Sequence, residues 1–249
     1  MDSILNNLKQ EFKQATIYNK LIYINVSLFL FFSILGVFSF LFQSNLSHVL
    51  NHLYLPAQNS KLLSQPWTFI TYMFLHNGFL HLLFNMIWLH FAGKIFLEYL
   101  NPRQLLSTYM LGGISGGLIF IIAYNYIPAL AIYTDHAQAM GASAAVLAIM
   151  IAIATYKPNY SVRFPIIGIV KLKHIAIFSV MLDLLSIPRG NTGGHIAHLG
   201  GALFGYIYIK QLQKGNDFQV GLTKWIKSII NLFKSKSKLK TRITPSITC

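Results

Sequence analysis

Charge is scarce in this sequence, and acid above all. Only 10% of the 249 residues are charged, and six Asp and Glu side chains stand against 20 Lys and Arg. An ordinary soluble domain is about 25% charged, so lipid rather than water is the solvent this composition fits. The single cysteine, Cys249, excludes an intramolecular disulfide and a thiolate metal cluster. No histidine is followed by Glu, which removes the H-E-x-x-H pattern of a zinc hydrolase. Asp183 is the only acid within the long apolar stretches, which argues against two carboxylates sharing a proton. No internal repeat or second domain is visible.

What is abundant is apolar sequence, 54% of the residues. Several runs are long enough to cross a hydrocarbon core about 30 Å thick, which takes roughly 20 helical residues. Six spans are predicted, at 21–43, 79–97, 105–127, 139–156, 166–185 and 194–209. The fold class is all-α, a polytopic membrane bundle of six transmembrane helices. It divides into an N-terminal segment 1–20, a membrane domain 21–212 and a basic tail 213–249. The first apolar run is too long for the core of a cleaved signal peptide and reads as a retained span.

Charge placement sets an orientation. With both termini cytoplasmic, every Lys and Arg except Lys61 and Arg189 lies in a cytoplasmic segment or at the adjoining helix end. The positive-inside rule predicts that bias, so the net charge of +14 needs no nucleic-acid partner. The expected location is the plasma membrane. In the tail, Leu222, Trp225, Ile226, Ile229 and Phe233 can share one helical face among lysines. That pattern suits either anionic lipids at the cytoplasmic interface or a solvated stop-transfer tail.

Polar side chains inside a bilayer are costly, so each is a functional candidate. In "HNGFLHLLFN", His81 and Asn85 are four residues apart, on one helical face at the outer end of the second span. In "GASAAVLAIM", Ser143 is expected roughly four residues, about 6 Å, into the fourth span from the same side. In "GGHIAHLGGALFG", His198 is expected about four residues into the sixth, which also starts outside. Three separate segments thus bring a hydroxyl, an imidazole and a His/Asn pair to a similar depth. Taken singly, each has a plainer role: a serine bonding its own helix, a structural histidine, an asparagine joining helices. Glycines such as Gly201 and Gly205, or those of "GGISGG", let backbones approach.

Together these groups suit nucleophilic catalysis. A serine hydroxyl needs a base within hydrogen-bond reach, and neutral imidazole has a suitable pKa. The oxyanion needs donors, available from the Ser143 backbone N–H, the Asn85 amide and the His81 ring. Asp183 and Asp135 are candidates to orient the base, but neither carries a supporting motif, so a Ser-His dyad is expected. Two other uses of the histidines stay open. His81, His195 and His198 could hold a metal, although no carboxylate base is evident nearby. Axial haem ligation is the other, and clustering at one end argues against it. The expectation is no metal and no cofactor. A transporter is a further class, but its site would sit near the midplane.

The patterns "HLLFN", "GASA" and "AHLGGALFG", in that order on spans two, four and six, resemble those of the rhomboid intramembrane serine proteases. The resemblance covers about residues 60 to 210 and implies a six-helix bundle whose serine and histidine meet below the outer surface in a water-filled cavity. Ser143, two residues after Gly141, resembles the nucleophile, and His198 the general base and acid. The Ala-His-x-x-Gly spacing selects His198 over His195 and places Gly201 and Gly205 on the family's small-residue pair. His81 and Asn85 resemble the oxyanion-stabilising pair. Trp67 and His76 fall in the counterpart of a partly inserted first loop, with His76 as a polar brace. His195 is read as a polar residue at the helix mouth. Thr68 stands where the family usually carries Arg, Ala144 where Gly often follows the serine, and Leu147 where an aromatic often packs on the base. The implied function is hydrolysis of peptide bonds in or beside transmembrane segments of membrane-anchored proteins. A catalytically idle relative that binds such proteins is the alternative.

Overall fold

The computed structural model describes residues 2–165 and 168–221. The tail from 222 onward, with its amphipathic face and Cys249, lies outside the described residues. Helix α1 (Asp2–Gln14) is followed by α2 (Ile17–Leu41), whose start is capped by the Thr16 hydroxyl accepting from the Asn19 N–H. A connecting region then holds α3 (Leu46–Asn51), β1 (Leu55–Pro56), α4 (Asn59–Ser64) and α5 (Thr68–Thr71). Two long helices follow, α6 (Phe79–Tyr99) and α7 (Pro102–Tyr126), the second opened by a capping box between Asn101 and Gln104 with Pro102 in its first turn. After α8 (Pro128–Ala131) and β2 (Gln138–Ala139) come α9 (Ser143–Tyr156), the antiparallel hairpin of β3 (Ser161–Phe164) and β4 (Gly168–Lys171), α10 (Leu172–Ser186) and α11 (Thr192–Gln213).

Helix α9 is the centre of the bundle. Ala144 to Val146 and Ala148 to Ala154 are all buried, as expected of a helix that is apolar all round. Helices α7 and α11 flank it, and glycine sets how closely they do so. A Cβ on Gly201 would strike the backbone carbonyl of Ala144, one on Gly205 that of Ala148, and one on Gly112 the Ala148 methyl. Helix α2 lies at the rim: only 11% of its most apolar window is buried, against 44% for α6 and 56% for α7, so its side chains face lipid.

Among the described residues three helices, α2, α6 and α7, are long and apolar enough to cross a membrane. The chain is thus a largely helical integral membrane protein. Its element boundaries correct the sequence reading in four places. Helix α2 starts at Ile17, inside the segment assigned to the N-terminal region. The fourth helix starts at Ser143 rather than 139, because Gly141 takes φ 128°, a conformation side chains rarely adopt, and breaks the run. The start of the expected fifth span is the β3–β4 hairpin, where Val162, Phe164 and Val170 turn inward at strand spacing; α10 begins only at Leu172. Helix α11 opens at Thr192 and runs to Gln213, past both expected ends of the sixth span.

The connecting region after α2 holds the approach to Ser143 in place. Strand β1 pairs antiparallel with β2, Leu55 opposite Ala139 and Pro56 opposite Gln138. The Gly141 N–H donates to the Tyr72 carbonyl at 2.9 Å. Asn125 on α7 donates to the Ala57 carbonyl at 2.8 Å, and the Trp67 indole N–H to the His52 carbonyl at 2.7 Å. Trp67 thus secures the connecting region itself and lies outside the two cavities at Ser143.

Candidate active site

Four helix ends meet on one side of the bundle: the N-terminal ends of α6, α9 and α11 and the C-terminal turn of α10. They carry His81 and Asn85, Ser143, His195 and His198, and Asp183, respectively. Ser143 is the first residue of α9, where backbone N–H groups have no intrahelical acceptor and the helix dipole is positive. Its Oγ lies 2.6 Å from His198 Nε2, and His198 Nδ1 lies 2.7 Å from Asp183 Oδ1. An ionised carboxylate only accepts, so Nδ1 carries the proton and Nε2 is free to accept from the serine hydroxyl. His195 Nδ1 donates to the same Asp183 oxygen at 2.8 Å.

His81 and Asn85 lie near the serine and line a cavity with it. The Asn77 N–H approaches His81 Nδ1 at 3.4 Å, which leaves the proton of the neutral ring on Nε2. A Cβ on Gly141 would lie 2.9 Å from His81 Nε2 and 3.5 Å from Ser143 Oγ, so the bare glycine keeps the space between ring and hydroxyl open. Asn85 is buried and gives one amide hydrogen to the His81 carbonyl at 2.8 Å, retaining a second.

Two cavities share Ser143. One, of about 400 Å³, opens between α6, α9 and α10 and is mostly apolar, with Phe84, Trp88, Val146, Leu147 and Met150 in its wall. The other, of about 610 Å³, runs toward the connecting segments past Asn77, Gln138 and Thr192. His81, Met140, Asn191 and Gly194 border both.

Several expectations drawn from the sequence change. Ser143 heads its helix instead of lying one turn inside it, a position that supplies the free N–H groups. His76 is a packing partner rather than a brace: its ring lies edge-on to His81 at 5.2 Å, and its nitrogens find no hydrogen-bond partner among the described residues. Burial, then the neighbouring His81, lowers its pKa to about 4. His195 is tied to Asp183 and lines neither cavity at Ser143. Of the two acids considered beside His198, Asp183 is in contact with its ring, whereas Asp135 offers its backbone carbonyl to Lys61. Tyr72, which holds Gly141, had no signal in the sequence beyond its being aromatic.

The comparisons with known proteins agree with this architecture. The family model of the rhomboid domain matches residues 63–214. The chain is 30% identical over 189 residues to RHOMBOID-like protein 12, mitochondrial, of Arabidopsis thaliana, covering 72% of this chain and 56% of that protein. It is 27% identical to Rhomboid-like protein 17, chloroplastic, of the same plant, over 56% of this chain and 46% of that protein. Against Presenilin-associated rhomboid-like protein A, mitochondrial, of Danio rerio, identity is 28% over 55% of this chain and 35% of that protein. The chain therefore spans roughly a third to just over half the length of these relatives. Their names are mitochondrial or chloroplastic, so the expected plasma-membrane location finds no support among them. By its sequence the chain belongs to the rhomboid family.

Proposed function

We propose that this chain is an intramembrane serine endopeptidase that cleaves membrane-anchored proteins in or beside a transmembrane helix. The observation that carries the reading is the 2.6 Å contact of Ser143 Oγ with His198 Nε2 where an apolar and a more polar cavity meet. In this reading α2, α6, α7, α9, α10 and α11 form a six-span bundle with both termini cytoplasmic. Helix α9 has 14 residues, about 21 Å of rise, against a core about 30 Å thick. With Lys157 at the inner boundary, the serine then sits roughly 9 Å below the outer one. A substrate helix reaches it laterally through the apolar cavity, and water reaches it from the other.

His198 takes the Ser143 proton as Oγ attacks the scissile carbonyl, and the oxyanion is met by the Ser143 N–H, His81 Nε2–H and the free Asn85 hydrogen. The imidazolium then gives its proton to the leaving amine, and the acyl-enzyme forms. Water, activated by the same histidine, returns the serine and releases the acid. No cofactor enters this sequence. Cleavage of a single-span substrate in proteoliposomes is expected from the intact chain and not from Ser143→Ala or His198→Ala. Cleavage by a folded Ser143→Ala protein would overturn the reading. Failure of the intact, folded chain to cut or to label with a fluorophosphonate would favour the idle binding relative.

A further inference from the structure

We infer that Asp183 is the positioning residue of the base, and that His195 completes it by holding the same carboxylate oxygen. The inference rests on the reading of Ser143 and His198 just given. Among the described residues Asp183 is the only acid at the helix ends that meet at the site, and it is 9% exposed in the last turn of α10. A carboxylate at such a place is costly unless its charge is met, and here two imidazole N–H groups meet it, at 2.7 and 2.8 Å, both on Oδ1. His195 and His198 are three residues apart on α11 and so share a face. Their rings stand at 83° to one another, centroids 5.9 Å apart, with both Nδ1 atoms converging on that oxygen.

The arrangement does two things for the base. It fixes the tautomer, because the proton held at Nδ1 leaves Nε2 as the acceptor facing Ser143 Oγ. It also fixes the ring from its Nδ1 edge, opposite the nitrogen that faces the serine. His195, without contact to Ser143, keeps the carboxylate from turning away. The same three groups lie within 4.8 Å of one another and have the composition of a divalent-metal site, but a metal would require both Nδ1 atoms to be unprotonated. Among the described residues, the other titratable groups bordering the cavity at this end of α11 are His81 from α6, Tyr72 from the connecting region and Tyr124 from α7.

The test uses the full chain in detergent micelles and the rate of fluorophosphonate labelling of Ser143 as a function of pH. Asp183→Asn is expected to slow labelling by up to about 10⁴-fold near neutrality. Asp183→Glu should recover part of the rate. His195→Ala should also slow labelling, by less than Asp183→Asn does, because the carboxylate then loses one of its two partners. Folded Asp183→Asn protein that labels at the wild-type rate overturns the inference. Nitrogen NMR of histidine-labelled wild-type protein gives an answer that needs no variant to fold. A proton on His198 Nδ1 in the resting state is expected, and an unprotonated Nδ1, metal-bound or not, overturns the inference. Absence of labelling in the wild type would instead overturn the protease reading, while the NMR result still decides the role of Asp183.

Discussion

Gly201 rests its bare Cα against the backbone carbonyl of Ala144, the residue that follows the serine. His198 lies one helical turn before Gly201, so this contact sets how far the imidazole stands from the hydroxyl. Gly205 repeats the contact on Ala148 one turn deeper. Gly201→Val is expected to push α11 away from α9. Overpacking of this kind costs typically 1–3 kcal/mol, and a separation of even 1 Å should cost about 100-fold in labelling of Ser143. Thermal unfolding in micelles and fluorophosphonate labelling check the two effects. Gly36→Ala in α2, whose nearest neighbour would be Leu46 at 4.0 Å, should instead stabilise by roughly 0.5–1 kcal/mol without touching activity.

His81 has its own signature. Its Nε2 and Ser143 Oγ flank the same space at Gly141, so in the proposed mechanism it meets charge that exists only once Oγ has attacked. His81→Ala should therefore lower kcat by about 10²- to 10³-fold while KM changes little. Steady-state cleavage of a single-span substrate separates the two parameters, and a change confined to KM would remove His81 from the oxyanion group.

How much of this was legible in the sequence depends on what each feature rests upon. The long helices α6 and α7 follow from mostly apolar runs of spanning length, and the gathering of His81, Ser143 and His198 toward one end of the bundle follows from counting spans. The start of α9 does not, because Ala139 and Met140 continue the apolar run and only the left-handed backbone at Gly141 breaks it. The hairpin was hidden for the same reason: "FPIIGIV" is as apolar as a span, and its strand pairing is a tertiary choice. Asp183 could be singled out as the lone acid of the spans, but its role depends on α10 packing beside α11, which no local spacing encodes.

His76 makes stability depend on pH. Its ring is held neutral by burial, with a pKa near 4 in the fold against about 6.5 in an unfolded chain. Above pH 6.5 both states are neutral and the residue exerts no pH effect. Below it the unfolded chain binds the proton first, so stability is lost progressively as pH falls from about 6.5 toward 4. Melting temperatures of the wild type across that window should fall more steeply than those of His76→Phe. Equal slopes would mean that the ring is not buried neutral.

The last prediction concerns the substrate. In a helix each carbonyl is bonded to the N–H four residues on and is ringed by side chains, so Ser143 Oγ cannot approach the scissile carbon until that turn opens. Opening costs helix propensity, and each Gly replaced by Ala makes it harder by about 1 kcal/mol, a factor of roughly five in rate. Replacing two glycines beside the cleavage site with Ala should thus lower kcat/KM roughly 25-fold. The effect should appear in proteoliposomes and shrink when the same peptide is presented unfolded in detergent, because the turn is then already open. An equal loss in both settings would place the effect on side-chain recognition by the apolar cavity of Phe84, Trp88 and Leu147 instead of on unwinding.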